Sequence, residues 1–177
     1  MKTVKLTAGT FLLFAALAST VVQSINWKLN EGSYSISFKG HRVEGVIKGL
    51  KTSIQFDELM PEKSKITASL DVNTINTGIG LKNKHAKSES GLNAQKYPEI
   101  TFISESVTGK NGSYNALGKL TLKGVTKQVN IPFTFTNKGA EGIFNGKLTI
   151  VPAEYGITKL GTPENLDITI TVPVTKQ

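Results

Sequence analysis

The sequence predicts an all-β protein, an up-and-down antiparallel barrel of about eight strands with one short helical insertion around residues 81–95. Three observations predict it. Apolar and polar residues alternate with period two over most of the chain, as strands with one buried face require. Short Asn-Gly and Lys-Gly segments stand between these runs at hairpin spacing. A single block, Asn76–Pro98, lacks the alternation and interrupts the meander once.

In chain order, residues 1–24 read as a secretory signal peptide. Lys2 and Lys5 form a positive start, Leu6–Trp27 carries no charge, and the most apolar part is Phe11–Ala18. That run is shorter than the ~20 residues needed to span a bilayer. Val22-Gln23-Ser24 offers cleavage before Ile25, and Ala16-Leu17-Ala18 is a second candidate site. In residues 25–177, Tyr34, Ile36 and Phe38 alternate with Ser33, Ser35 and Ser37; Val43, Gly45 and Ile47 are followed by Ile54 and Phe56 across a Gly-containing stretch. Ile66, Ala68, Leu70 and Val72 alternate with Thr67, Ser69 and Asp71. Leu81–Ser88 has modest helical character and would lie across one end or edge of the sheet. The later strands run through Tyr114–Leu122, Val129–Phe135, Phe144–Ile150 and Leu166–Val174, the last with Asp167, Thr169 and Thr171 opposite its apolar face. Reversals are expected at Lys110-Asn111-Gly112-Ser113, Lys123-Gly124-Val125-Thr126 and Asn137-Lys138-Gly139-Ala140. Asn111-Gly112-Ser113 also matches a glycosylation sequon, but turn chemistry accounts for it.

A meander of this size leaves exposed edges unless it closes, and a closed barrel either fills its interior or keeps room for one small ligand. Its apolar faces carry Phe38, Phe56, Phe102, Phe133, Phe135 and Phe144, with Gly45, Ala68, Gly118 and Gly146 among them. Small positions would leave volume and aromatic ones would line it, but periodicity alone favours a packed core.

Composition narrows the chemistry. The chain has 177 residues, 38% of them hydrophobic and 19% charged, which suits one domain with a true core. With no cysteine, disulfides, thiolate metal sites, cysteine nucleophiles and lipidated cysteine anchors are excluded. Lys+Arg 21 against Asp+Glu 13 gives a net charge of +8. For an exported protein that field points to anionic lipid headgroups, a pyrophosphate or an acidic polymer and not to nucleic acid. The lysines form no run, so a solvated basic surface is the plain reading. No nucleophile elbow, phosphate-binding loop or zinc motif occurs. His41 sits in an expected turn beside Gly40 and Arg42; His85 lies between Lys84 and Lys87 and could orient the insertion or contact an anionic headgroup. Asp57 and Asp71 read as a turn acid and an outward strand residue. Nothing assembles a nucleophile, base and oxyanion hole, so no enzymatic activity, metal or cofactor is expected.

Taken in order, several motifs resemble the YceI family of secreted lipid-binding proteins: Trp27 with Ser35-x-x-Phe38, Val43-Glu44-Gly45, Ile54-Gln55-Phe56-Asp57, and Asp71-Val72 followed by Ile75-x-Thr77-Gly78. Lys82-Asn83-Lys84-His85 to Ser88 resembles the family's R-D-x-H-L-x-S segment. Tyr97-Pro98-x-Ile100-Thr101-Phe102 and the stretch Gly118–Val129 are the most specific matches, and Tyr155-Gly156-Ile157 fits the closing motif. The sequence departs from the pattern at Asn83 (Asp in the family), Ala86 (Leu), Gly91 (a bulky aromatic) and Pro152 (an Arg before Tyr-Gly-Ile). Should an Arg–Asp pair brace the insertion in relatives, this chain has to brace it otherwise.

The resemblance implies an extended, lipocalin-like barrel in the periplasm or outside the cell that encloses a long isoprenoid or a similar amphiphile, such as a quinone-like lipid. The expected lining is Phe38, Ile47, Phe56, Leu70, Phe102, Leu120, Phe133, Phe135, Phe144, Leu148, Ile168 and Ile170, with Lys82, Lys84, His85 and Lys87 meeting the head. A transient contact with an anionic membrane surface and a homodimer belong to the same expectation, although no motif defines a dimer interface. The alternative is a filled barrel that acts through its surface as a structural or adhesion module.

Overall fold

Asn111 and Gly112 hold φ angles of 55° and 80°, and Lys123 and Gly124 of 51° and 76°, the left-handed pairs that two-residue hairpins need. They join long antiparallel strands. The computed structural model describes residues 25–177; the expected leader, residues 1–24, lies outside the described residues. The strands are β1 (Asn26–Leu29), β2 (Ser35–Gly40), β3 (Val43–Val46), β4 (Lys51–Gln55), β5 (Lys65–Asp71), β6 (Glu99–Lys110), β7 (Ser113–Leu122), β8 (Val125–Lys138), β9 (Glu141–Ile150) and β10 (Leu166–Lys176). One helix, α1 (Gly80–Lys87), stands in the expected insertion.

Strands β4 to β10 pair in sequence order, and β1 pairs with both β10 and β4, which closes the barrel with eight strands. The other two segments extend this wall. Along β10, Val174–Lys176 pair with β1 while Leu166–Thr171 pair with β2, so β2 continues the line of β1. β3 pairs with β2, and Val46 and Asn76 exchange backbone hydrogen bonds of 2.9 Å, which closes the ring at that end too. Both interrupted positions are tied together where they break: the Leu50 amide donates to the Tyr34 hydroxyl at 3.1 Å. At the break, Gly49 has φ 69°, and a Cβ there would lie 2.8 Å from Asp71 Cβ.

Two strands escaped the alternation. β1 is only four residues long. β6 carries a bulge between Ser104 and Ser106 in its pairing with β7. The extra residue switches the inward parity, so Phe102 and Val107, an odd number apart, are both buried.

One end of the barrel is filled. Phe56 stands edge-on to Tyr114, Phe135 and Phe144 with ring centres 5.0, 5.0 and 5.3 Å away, and Trp27 meets Phe135 at 5.0 Å. The Trp27 indole donates to the Phe56 carbonyl at 3.0 Å, so its polar atom is satisfied inside this cluster. Gly142 makes room for it, since a Cβ there would lie 2.5 Å from the Phe135 ring. Similarly, Gly45 receives the Phe38 ring and Gly118 the Phe102 ring. The sequence reading gave Gly45 and Gly118 to open volume; instead these glycines seat cross-strand rings. Of the four small positions, Ala68 and Gly146 border the interior space described next.

Candidate functional site

Beyond the aromatic cluster the barrel is hollow. A cavity of about 530 Å³ runs from a floor at Phe133, Phe144 and Ala116 to a mouth framed by Arg42, Lys82, His85 and Lys159–Pro163. That volume falls in the ~300–1,000 Å³ range of small-molecule sites. Inward residues confirm the space: Leu148, Ile150, Ile168 and Ile170 face the interior yet are only half-buried. In a filled barrel they would be sealed, so the packed-core alternative holds only for the aromatic end. Along the walls the lining is apolar except for Ser37 and Thr52, and the Thr52 hydroxyl is spent on the Thr67 carbonyl at 2.6 Å.

Among the expected lining residues, Phe38, Ile47, Leu70, Phe102, Leu120, Phe133, Phe144, Leu148, Ile168 and Ile170 border this cavity. Phe56 and Phe135 do not. They belong to the aromatic plug, 1% and 4% exposed, because inward positions near the closed end meet one another across the barrel. Leu50, Ile75, Ile157, Leu160 and Pro163 also line the cavity and were missed. They come from segments between strands, where no periodicity marks the inner face.

Helix α1 forms part of the rim of the mouth. Residues three and four apart share a helix face, and Lys82, His85 and Ala86 turn theirs towards the cavity. Lys84 and Lys87, expected with Lys82 and His85 beside a ligand head, lie on the opposite side of the helix and do not border the cavity. Lys82 Nζ donates to the Arg42 carbonyl at 2.9 Å, linking the helix to the β2–β3 turn. Asn83 supplies the brace. Its Oδ1 accepts from both the backbone N–H and the hydroxyl of Thr77, each at 2.7 Å, and its Nδ2 donates to Asn76 Oδ1 at 3.3 Å. Gly91 fits where no side chain can, since a Cβ would lie 2.5 Å from the carbonyl oxygens of His85 and Ala86. Pro152 opens a short 3₁₀ turn, Pro152–Tyr155, and is buried against the cavity.

The titration shifts lie away from the hollow. Burial raises the phenol of Tyr155, with Glu154 adding to it, and burial likewise raises that of Tyr114 in the plug. On the outer wall, hydrogen bonds from Lys119 and Gln128 lower the Glu105 carboxyl. Among the described residues no group of three or more His, Asp or Glu is placed to hold a metal ion. His41 is exposed in the β2–β3 turn, outside the cavity lining.

Fold and cavity together define the class: an antiparallel β-barrel that encloses an apolar, ligand-sized space behind a basic mouth. The chain belongs to the YceI-like domain family, whose model matches residues 27–175. It is 34% identical over 178 residues to a UPF0312 protein of Pseudomonas syringae pv. tomato, covering 94% of this chain and 92% of that one. A UPF0312 protein of Pseudomonas putida is 32% identical over 162 residues, covering 86% and 81%. Among solved structures, Burkholderia cenocepacia BcnA superposes with TM-score 0.78 at 23% identity over 84% of this chain and all of that one (100%). A polyisoprenoid binding domain from Saccharophagus degradans gives TM-score 0.67 at 13% identity, covering 87% and 99%. At these identities the structural likenesses establish the fold.

Proposed function

We propose that this protein is a non-enzymatic carrier that holds the chain of a long isoprenoid, or of a similar amphiphilic lipid, inside its barrel. The observation that carries the reading is the continuous apolar cavity of about 530 Å³, closed below by the aromatic plug and open at a basic mouth. Each CH₂ buried there contributes about 0.8 kcal/mol, so roughly ten carbons supply on the order of 8 kcal/mol before the chain's ordering costs. No wall hydrogen bond is needed, and selection falls to the width and depth of the hollow. Lys82, Arg42 and Lys159, with the His85 imidazole beside them as a hydrogen-bonding group, are the residues that meet a polar or phosphorylated head. The Saccharophagus degradans domain, described as binding polyisoprenoid, supports this reading by sharing the fold. With residues 1–24 as an export signal, the carrier works in the periplasm or outside the cell.

Native mass spectrometry of freshly purified protein tests the proposal, followed by extraction and identification of the bound lipid. A retained apolar ligand is expected, together with uptake of polyprenyl compounds by the stripped protein. Gly146→Leu sharpens the test: Gly146 borders the cavity, and a Cβ there meets its neighbours only at ordinary distances of 3.4 Å and beyond. The variant should fold and lose most of its uptake. Protein that never carries or takes up an apolar chain sinks the carrier reading.

A further inference from the structure

We infer that the open end of the barrel is a docking surface for an anionic lipid bilayer, which the protein meets mouth first. The inference rests on the carrier reading for its purpose, because a chain leaving a bilayer reaches the cavity through the mouth. Its geometry stands separately. Large apolar side chains are exposed around that opening: Leu160 is 101% exposed, Leu81 64% and Ile79 50%. Leu160 belongs to the mouth itself, and the other two flank it at the start of α1. A bilayer interface accepts such tips when basic groups surround them.

Charge is divided between the two ends of the molecule. The segments forming the open end, residues 41–42, 76–98, 123–124 and 151–165, hold seven lysine or arginine residues against Glu89, Glu154 and Glu164. Those of the closed end, residues 56–64, 111–112 and 139–140, hold Asp57, Glu58 and Glu62 against Lys63. With the adjoining strand ends (Lys65, Lys110, Lys138 and Lys176 against Glu141) that end is close to balanced, where the open end keeps a clear basic excess. An anionic surface therefore orients the barrel with its mouth forward. Helix α1 assigns separate tasks to its polar side chains. Lys82 and His85 face the cavity, whereas Lys84 and Lys87 face away from it. Among the described residues the ion pairs are Lys119–Glu105 and Lys127–Glu154, so neither outward lysine is neutralised by a carboxylate of the chain.

Co-sedimentation of the mature protein with lipid vesicles tests this. Phosphatidylcholine vesicles containing about 30 mol% phosphatidylglycerol should retain it at about 50 mM salt, and pure phosphatidylcholine vesicles should not; about 500 mM salt should release it. The Lys84→Glu/Lys87→Glu double variant and Leu81→Asp should each weaken retention about tenfold. Because none of these three side chains lines the cavity, polyprenyl loading in detergent solution should stay as in the parent. Far-UV circular dichroism checks folding, and Lys84→Gln/Lys87→Gln gives a milder variant with the same expected direction. Failure of the parent to bind anionic vesicles at low salt overturns the inference, as does equal retention of all variants. Dimerisation that Leu81→Asp abolishes, without vesicle binding, would give the surface to a second copy and also overturn it. Loading without docking overturns the docking alone; docking without loading overturns the carrier reading and leaves the docking surface in place.

Discussion

Glycine 142 shows how a single missing methyl group decides what the closed end of the barrel can contain. The Phe135 ring lies where its Cβ would be, at 2.5 Å, and Trp27 approaches the same point at 3.3 Å. The ring cannot retreat without disturbing Phe56 and Phe144, whose centres are 5.0 and 4.5 Å from its own. Gly142→Ala should therefore destabilise the protein by about 1–3 kcal/mol through overpacking. Urea unfolding of parent and variant measures it, and equal midpoints would show that the plug tolerates the methyl group. The same close packing explains why Phe56 and Phe135 could not be told from cavity residues in sequence. Alternation reports which side of a strand faces inward, but not whether another ring waits across the barrel.

At the scale of the element, α1 has little of its own to hold it. It is eight residues long, lacks a side-chain N-cap, and none of its residues is fully buried. A helix this short is marginal by itself, so its place at the mouth depends on tethers. Asn83 makes the best of these, to both polar hydrogens of Thr77, and Lys82 adds one to the β2–β3 turn. Asn83→Ala should speed amide exchange across residues 77–88 and the release of any bound lipid, with β6 to β10 as protected as before. Hydrogen–deuterium exchange by mass spectrometry reads both regions, and unchanged exchange at the helix would show that Asn83 is not its brace. The insertion was legible as a break in period two and its helix as a weak pattern, whereas the tether was not. A departure from the family pattern at position 83 signals that something changed there; the partner, Thr77, is given only by the folded loop.

Over the whole molecule, one end is solid and the other hollow, and stability should register the difference. The unfilled half leaves inward side chains such as Leu148 and Ile168 with no protein atoms packed on one side. A ligand that binds only the folded barrel stabilises it by about 2.7 kcal/mol at one hundred times its Kd. For a domain of this size that corresponds to a rise in Tm of about 5–10 °C. Thermal unfolding of stripped protein, titrated with a polyprenyl compound in mild detergent, checks it. A Tm that stays constant through saturation would mean that the chain is not held by the native barrel.

The sequence by itself determined the strands, their inward faces, their hairpins and the place of the insertion, since each is written in local chemistry: period-two alternation, turns such as Asn111-Gly112, and a charge-rich break at Leu81–Ser88. Short β1 and bulged β6 fell outside that code because one is too brief and the other changes parity midway. Only the tertiary structure decided which inward residues touch and which enclose space, because that depends on distances across the barrel between strands far apart in the chain. It also decided which lysines of α1 face the hollow and which face outward, since a helix acquires an inside only when it is laid over something.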